Sequence, residues 1–180
     1  DPAHRGRSTS PMKVNLGLSA PNSRDWERIM AQDYASAPET PDWKCVEAMM
    51  AIGDMAEPLG YDGIWAPDHC GTPYGMVPNP LQLLTYYAGR TERVTFGTMV
   101  VVAPWWHPIR LAHQIAFLDT LSNGRYETIG LGRGVAKGEF EATDPVADDH
   151  PNLHAEPLLV AAVSETPASG PADEPAPPRT

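Results

Sequence analysis

The chain has 180 residues, with 13 Lys+Arg against 23 Asp+Glu and a formal net charge of −10, enough length for one domain with a real core. Hydrophobic residues at 42% and charged ones at 20% suit a globular protein, and the acidic balance argues against binding a nucleic-acid backbone or an anionic membrane. No apolar run nears the roughly 20 residues of a membrane span, no leader pattern opens the chain, and two cysteines (Cys45 and Cys70) make no disulfide framework, so a cytoplasmic location is expected.

The first eleven residues, DPAHRGRSTSP, are expected to be a disordered extension, with the folded domain spanning 12–140. Lys13 to Ser19 alternates apolar and polar residues and predicts a first strand. A long polar loop follows, and Thr40-Pro41 then offers an N-cap with proline at the first helical position. Val46, Met49, Met50, Gly53 and Ala56 mark one face of that helix, which Pro58 and Gly60 should end. Asp62 to Ala66 reads as a short buried strand. Asn79-Pro80 repeats the cap signal before Leu81, Leu84 and Ala88. RVTFGTMVVV, Arg93 to Val102, is the strongest strand signal, and its lack of alternation predicts burial on both faces, as in parallel sheets. A helix is expected from Pro108 to about Leu121, with Leu111, Ile115, Leu118 and Leu121 inward, then a turn at Ser122-Asn123-Gly124 and a fourth strand from Tyr126 to Leu131.

This β-α-β-α-β-α-β order predicts an α/β fold with right-handed parallel units, either barrel or open sheet. Beyond it, residues 141–180 hold eight acidic residues, one basic residue and eight of the 20 prolines. From Ser164 this tail lacks large apolar side chains and cannot offset its ordering entropy, so it is expected to be mostly disordered.

Chemistry in α/β folds sits beyond the carboxyl ends of the strands, and unusual residues recur there. Asp68-His69 follows the second strand, Ala103-Pro104-Trp105-Trp106-His107 the third, and Gly132-Arg133-Gly134 the fourth. His69 suits a general base or a hydrogen-bond donor because imidazole titrates near neutral pH; a solvated loop histidine is the plainer alternative. Neighbours on an extended chain point apart, so Asp68 is not expected to orient His69 directly. GLGRG (Gly130 to Gly134) suits close approach to an anion with Arg133 adding charge, or simply a tight strand exit, and lacks dinucleotide spacing. Trp105, Trp106 and Tyr74 suit stacking on a planar ligand or packing of a lid. Cys70 has no base at an informative spacing and reads as a free thiol. Asp148, Asp149, His150 and His154 resemble metal ligands, yet Pro151 breaks any helix that would align them, so no metal is expected.

Read together, LGYDGIWAPDH (Leu59 to His69), RTERVTFGTMVVVAPWWHPIRLAHQIAFLDTLSNGR (Arg90 to Arg125) and IGLGRGVAKGEF (Ile129 to Phe140) resemble the bacterial luciferase-like family of flavin-dependent monooxygenases and their deazaflavin-using relatives. The pattern HP-x-R-x-A-x-Q-x-A-x-LD-x-LS-x-GR, followed by G-x-GRG and EF, is specific in combination. The resemblance implies a TIM barrel holding reduced FMN, delivered by a flavin reductase, that reacts with oxygen and oxidises a small organic substrate. It further implies that His69 is the catalytic histidine, and that Thr98-Met99-Val100 is the stretch where the family often carries a non-prolyl cis peptide behind the flavin. Arg133 matches an arginine near the flavin, and Glu139 an acidic residue at the rim. Asp68 occupies a position that is Glu in luciferases and Asp in many deazaflavin-dependent members, which makes coenzyme F420 the alternative cofactor.

A complete barrel takes about 250 residues. Only four βα units are legible, so a truncated barrel is expected, and a catalytically inactive fragment is the alternative to an enzyme. Half a barrel leaves open sheet edges, which pairing into a homodimer would cover.

Overall fold

The computed structural model describes residues 12–134, 136 and 138–140. The expected extension at 1–11 and the tail at 141–180, with Asp148, Asp149, His150 and His154, lie outside the described residues. Strand β1 (Asn15–Gly17) is followed by a short helix α1 (Trp26–Met30) and by α2 (Asp42–Asp54). Then come β2 (Gly63–Ala66), α3 (Pro80–Ala88), β3 (Thr95–Thr98), β4 (Val101–Val102), α4 (Pro108–Leu121), β5 (Tyr126–Thr128) and β6 (Leu131–Gly132). The larger sheet has the order β1-β2-β3-β5, and β4 pairs with β6. Every pairing is parallel, which makes this an α/β fold. No helix among the described residues is long and apolar enough to cross a membrane.

Register explains the division of faces. Ile64 and Ala66 of β2 lie beside Phe96 and Thr98 of β3, and all four are fully buried. That face packs on Leu81, Leu84 and Tyr87 of α3, which are also buried, and the cluster takes in Leu111 and Leu118 of α4. On the opposite face the register aligns Gly17, Trp65 and Gly97 in one row. A Cβ on Gly97 would stand 2.7 Å from the Trp65 indole, so the missing side chain is what lets that ring lie over β3. Helix α2 comes close to α3 for the same reason, since a Cβ at Gly53 would collide with the Tyr87 hydroxyl. That hydroxyl donates to the Met50 carbonyl at 2.8 Å, and burial pushes its pKa up to about 12.

Long-range polar anchors tie the units together. The Glu57 carboxylate accepts the backbone N–H groups of Glu92, Arg93 and Val94 ahead of β3. Arg125 donates to the carbonyls of Ala88, Val94 and Ser122 and to the Thr91 hydroxyl, with its guanidinium 5.0 Å from the Phe96 ring centre. One side chain thus joins the end of α3, the start of β3 and the exit of α4.

Several sequence expectations require correction. The stretch taken as loop after β1 contains α1, whose five residues are too few to reveal a helical period. Pro41, not Thr40, is the N-cap of α2, with no capping side chain, and the helix stops at Asp54 ahead of Pro58 and Gly60. The single third strand is two, broken at a cis peptide between Met99 and Val100. The fourth is likewise split into β5 and β6, around Gly130, whose N–H donates to the Thr98 hydroxyl and whose carbonyl accepts from that hydroxyl and from the Val101 N–H. Leu121 is exposed, because it faces outward on the last turn of α4. By contrast Asn79 caps α3 as its spacing predicts, its Oδ1 accepting from the Gln82 N–H at 3.0 Å.

Candidate functional site

The carboxyl ends of the strands bring Asp68, His69, Met99, Val100, Arg133 and Glu139 to one end of the sheets. His69 leaves β2 with its backbone N–H donating to the Val77 carbonyl at 3.0 Å, which pins the loop that returns toward α3. Its Nδ1 lies 2.9 Å from Oε1 of Glu139, and that same oxygen accepts the Cys70 N–H at 3.3 Å. The Tyr74 ring meets the imidazole edge-on, with centres 4.9 Å apart. Gly75 completes the seat, since a Cβ there would stand 3.0 Å from His69 Cδ2. With Nδ1 turned to a carboxylate, the other ring nitrogen, Nε2, is the one available to a ligand.

Glu139 is buried, 3% exposed, which corrects its expected position at the rim. It is set against His69 and the protein interior, 70 residues distant in the chain. Asp68 also turns inward. Its Oδ2 accepts from the Val102 N–H at 3.0 Å and from Trp106 Nε1 at 2.8 Å, so it joins the end of β2 to β4 and the segment before α4. Burial, above all, raises the Asp68 pKa against the opposing pull of these two donors. Asp68, expected to meet a cofactor, thus makes structural bonds through Oδ2. Trp106, for which stacking and lid packing are the alternatives read from sequence, donates one of these bonds.

Thr98 is likewise engaged within the protein. It is fully buried, and its hydroxyl contacts Gly130 and the Tyr126 hydroxyl, 3.2 Å away. Met99 and Val100, joined by the cis peptide, are exposed and half-buried respectively. Arg133 is exposed and has no hydrogen-bond or ion-pair partner among the described residues. Trp105 packs edge-on to Phe140, with centres 5.7 Å apart, and its Nε1 is buried without a partner among the described residues. Cys45 and Cys70 are both free thiols. Among the described residues no group of His, Cys, Asp and Glu is placed to hold a metal ion.

His69 borders a cleft of about 340 Å³ that is also lined by Arg28, Ile29 and Tyr34, from and just beyond α1. Reading the sequence missed this wall. Arg28 sits in a polar stretch with no motif, and only the folded chain carries it to His69. The segment is held by Asp25, whose carboxylate accepts the N–H groups of Thr40 at 2.7 Å and Glu39 at 2.9 Å and the Arg28 Nε at 2.9 Å. These bonds, the Thr40 amide foremost, lower its pKa from the ordinary 3.8 to about 2. A depressed folded-state value means that the stabilisation is complete above pH 3.8 and is lost as pH falls toward 2. Thermal melts between pH 5 and 2 should therefore show a steeper loss of Tm for the wild type than for Asp25→Asn, whose amide does not titrate.

The family model for luciferase-like monooxygenases matches residues 28–156, most of the chain. The chain belongs to that family. Over 102 residues it is 37% identical to the oxygenase component of the flavin-dependent trigonelline monooxygenase of Acinetobacter baylyi, covering 57% of this chain and 28% of that protein. Over 103 residues it is 29% identical to the alkanal monooxygenase alpha chain of Photorhabdus laumondii, with the same coverages of 57% and 28%. Among solved structures, the monooxygenase RslO1 of Streptomyces bottropensis superposes with a TM-score of 0.57 at 28% identity, over 73% of this chain and 36% of its own. The chain thus spans less than a third of these two luciferase-like relatives' length.

Proposed function

We propose that this chain contributes the histidine-bearing half of a flavin-dependent monooxygenase site, built on the first four βα units of a TIM-type barrel. The observation that carries the reading is the 2.9 Å contact between His69 Nδ1 and the buried Glu139 carboxylate at the carboxyl ends of the strands. A carboxylate in that position orients the imidazole and holds a proton at Nδ1. Nε2 is then free to accept a proton from a reacting group, or to return it. Tyr74 and Gly75 limit how the ring can turn.

The residues present suit a flavin. Among the described residues Arg133 offers a guanidinium without a partner and Trp105 a buried N–H without one, and Met99 and Val100 give an apolar backing. Gly132 and Gly134 bring the backbone close, since side chains there would strike Val100 and Phe140. Such a donor set matches an anionic group and ring carbonyls. When bound, reduced flavin supplies the electrons with which oxygen is activated. FMN, a separate flavin reductase and a small organic substrate complete the proposal, in keeping with the oxygenase-component relative. A homodimer is part of it too, supported by the exposed Ile109 and Phe117 along α4.

Fluorescence-quenching titrations of the purified chain with FMN and with F420, run separately, test this reading. Saturable FMN binding that weakens in Arg133→Ala is the expected result. Saturation by F420 alone would overturn the choice of cofactor, and binding of neither would leave an inactive fragment.

A further inference from the structure

We infer that Met99 is a peroxide-sensitive residue of the site: conversion of its thioether to the sulfoxide draws the side chain off the end of β1 and lowers the affinity for the cofactor. This rests on the reading of Met99 as part of the flavin's apolar backing and adds a modification that turns the site down. Met99 follows β3 directly, and its N–H donates to the Ala66 carbonyl at 2.9 Å, which fixes its backbone beside the end of β2. Two residues beyond Gly97, its side chain lies on the face where Gly17, Trp65 and Gly97 share a row. A Cβ on Gly17 would stand 2.8 Å from the Met99 terminal methyl and 3.5 Å from Sδ. The thioether thus occupies the space that a side chain at Gly17 would fill, and it joins the ends of β3 and β1.

Met99 is also 41% exposed, whereas Phe96 and Thr98 before it are fully buried, so a small oxidant reaches it from solvent. The oxidant is hydrogen peroxide. Its O–O bond breaks, one oxygen bonds to the Met99 sulfur, and the other leaves as water. Sδ gives up two electrons and peroxide takes two, so no further reactant is needed. Peroxide is what oxygen becomes when a reduced flavin passes it two electrons and no substrate is oxidised, which places the oxidant beside its target. An unbranched thioether suits the slot at Gly17 because it is apolar and flexible, and the sulfoxide is polar. A polar S–O group in an apolar contact costs free energy that turning it to water relieves. The exposed side of Met99 allows that turn, which removes the contact with Gly17 and sets a polar group where the flavin needs an apolar one. Met12, Met30 and Met55 are more exposed and are expected to be oxidised as well, but Met99 is the one that fills the space at Gly17.

The test treats the purified chain with hydrogen peroxide and then with dithiothreitol, which returns sulfenic acid and disulfides at Cys45 and Cys70 to thiols but leaves methionine sulfoxide. Peptide mass mapping locates the added oxygen, and FMN titration and the Gly17 amide resonance are read before and after. The wild type should gain one oxygen at Met99, shift the Gly17 resonance and lose about tenfold in FMN affinity, as for one lost apolar contact. Methionine sulfoxide reductase should restore both readings. Met99→Leu has no thioether, so neither reading should move from that variant's own untreated value. An untreated wild type that binds no FMN strikes at the flavin reading, and the Gly17 resonance then carries the test of Met99. Three results overturn the inference. Met99 could stay unmodified while Met12, Met30 and Met55 are converted, or its oxidation could leave the Gly17 resonance or the FMN affinity unmoved. The third is an equal loss of FMN affinity in Met99→Leu.

Discussion

His69→Ala is expected to lower kcat by about 10²–10⁴-fold, the range a positioned acid–base group contributes, while leaving flavin affinity within a few-fold of the wild type. Glu139→Gln should cost less, on the order of 10–100-fold, because it removes one charge-assisted hydrogen bond and leaves the imidazole in place. The separation of the two roles is in the spectroscopy. Nitrogen chemical shifts of the His69 ring report which of Nδ1 and Nε2 carries the proton, and Glu139→Gln should change that distribution, with Glu139→Asp restoring part of it. A kcat for Glu139→Gln equal to the wild type, with an unchanged tautomer distribution, would remove Glu139 as a positioning residue. Full activity of His69→Ala would remove the proposed site altogether.

The largest effect on stability is expected at Phe96. The ring is fully buried on the packed face of β3, beside Ile64 in the register and under the Arg125 guanidinium. Phe96→Ala should destabilise the fold by about 3–5 kcal/mol, combining lost burial with a cavity that the surrounding strands cannot close. Phe96→Leu, closer in volume, should cost under about 1.5 kcal/mol. Urea unfolding of the two variants measures both. Similar midpoints for Phe96→Ala and the wild type would mean that β3 does not carry the core described above. The loss at Phe96 should also disturb Arg125, whose bonds to Ala88, Val94 and Ser122 depend on the guanidinium staying over that ring.

How far the fold was legible can be judged from particular elements. Pro108 to Leu121 begins and ends where the sequence predicts, because proline starts it, Ser122-Asn123-Gly124 stops it, and the apolar spacing between is helical. Asn79-Pro80 was equally readable, because a cap is a local bond between Asn79 and Gln82. The site residues His69 and Arg133 stood out through their position after predicted strands and through the family motifs around them. The cis peptide at Met99-Val100 agrees with what the family resemblance implies for Thr98-Met99-Val100, but that it parts β3 from β4, and the split of the fourth strand, were not legible in local propensity. Met99 and Val100 are ordinary strand residues by propensity, and what separates β3 from β4 goes with Thr98 meeting Gly130, 32 residues later.

The sequence by itself determined the alternation of four strand regions with α2, α3 and α4, most of the apolar face that each helix buries and the cluster of unusual residues at strand ends. Those depend on contacts a few residues apart, which period and cap signals record. Tertiary structure alone decided what the polar groups do. Only the folded chain turns Asp68 inward as a strut for Val102 and Trp106, buries Glu139 against His69 and brings Arg28 to the wall of the same cleft. Each of these outcomes brings together residues some 34 to 70 positions apart. A hydrogen bond across such a separation depends on where two elements pack, and nothing in either residue's local sequence encodes that.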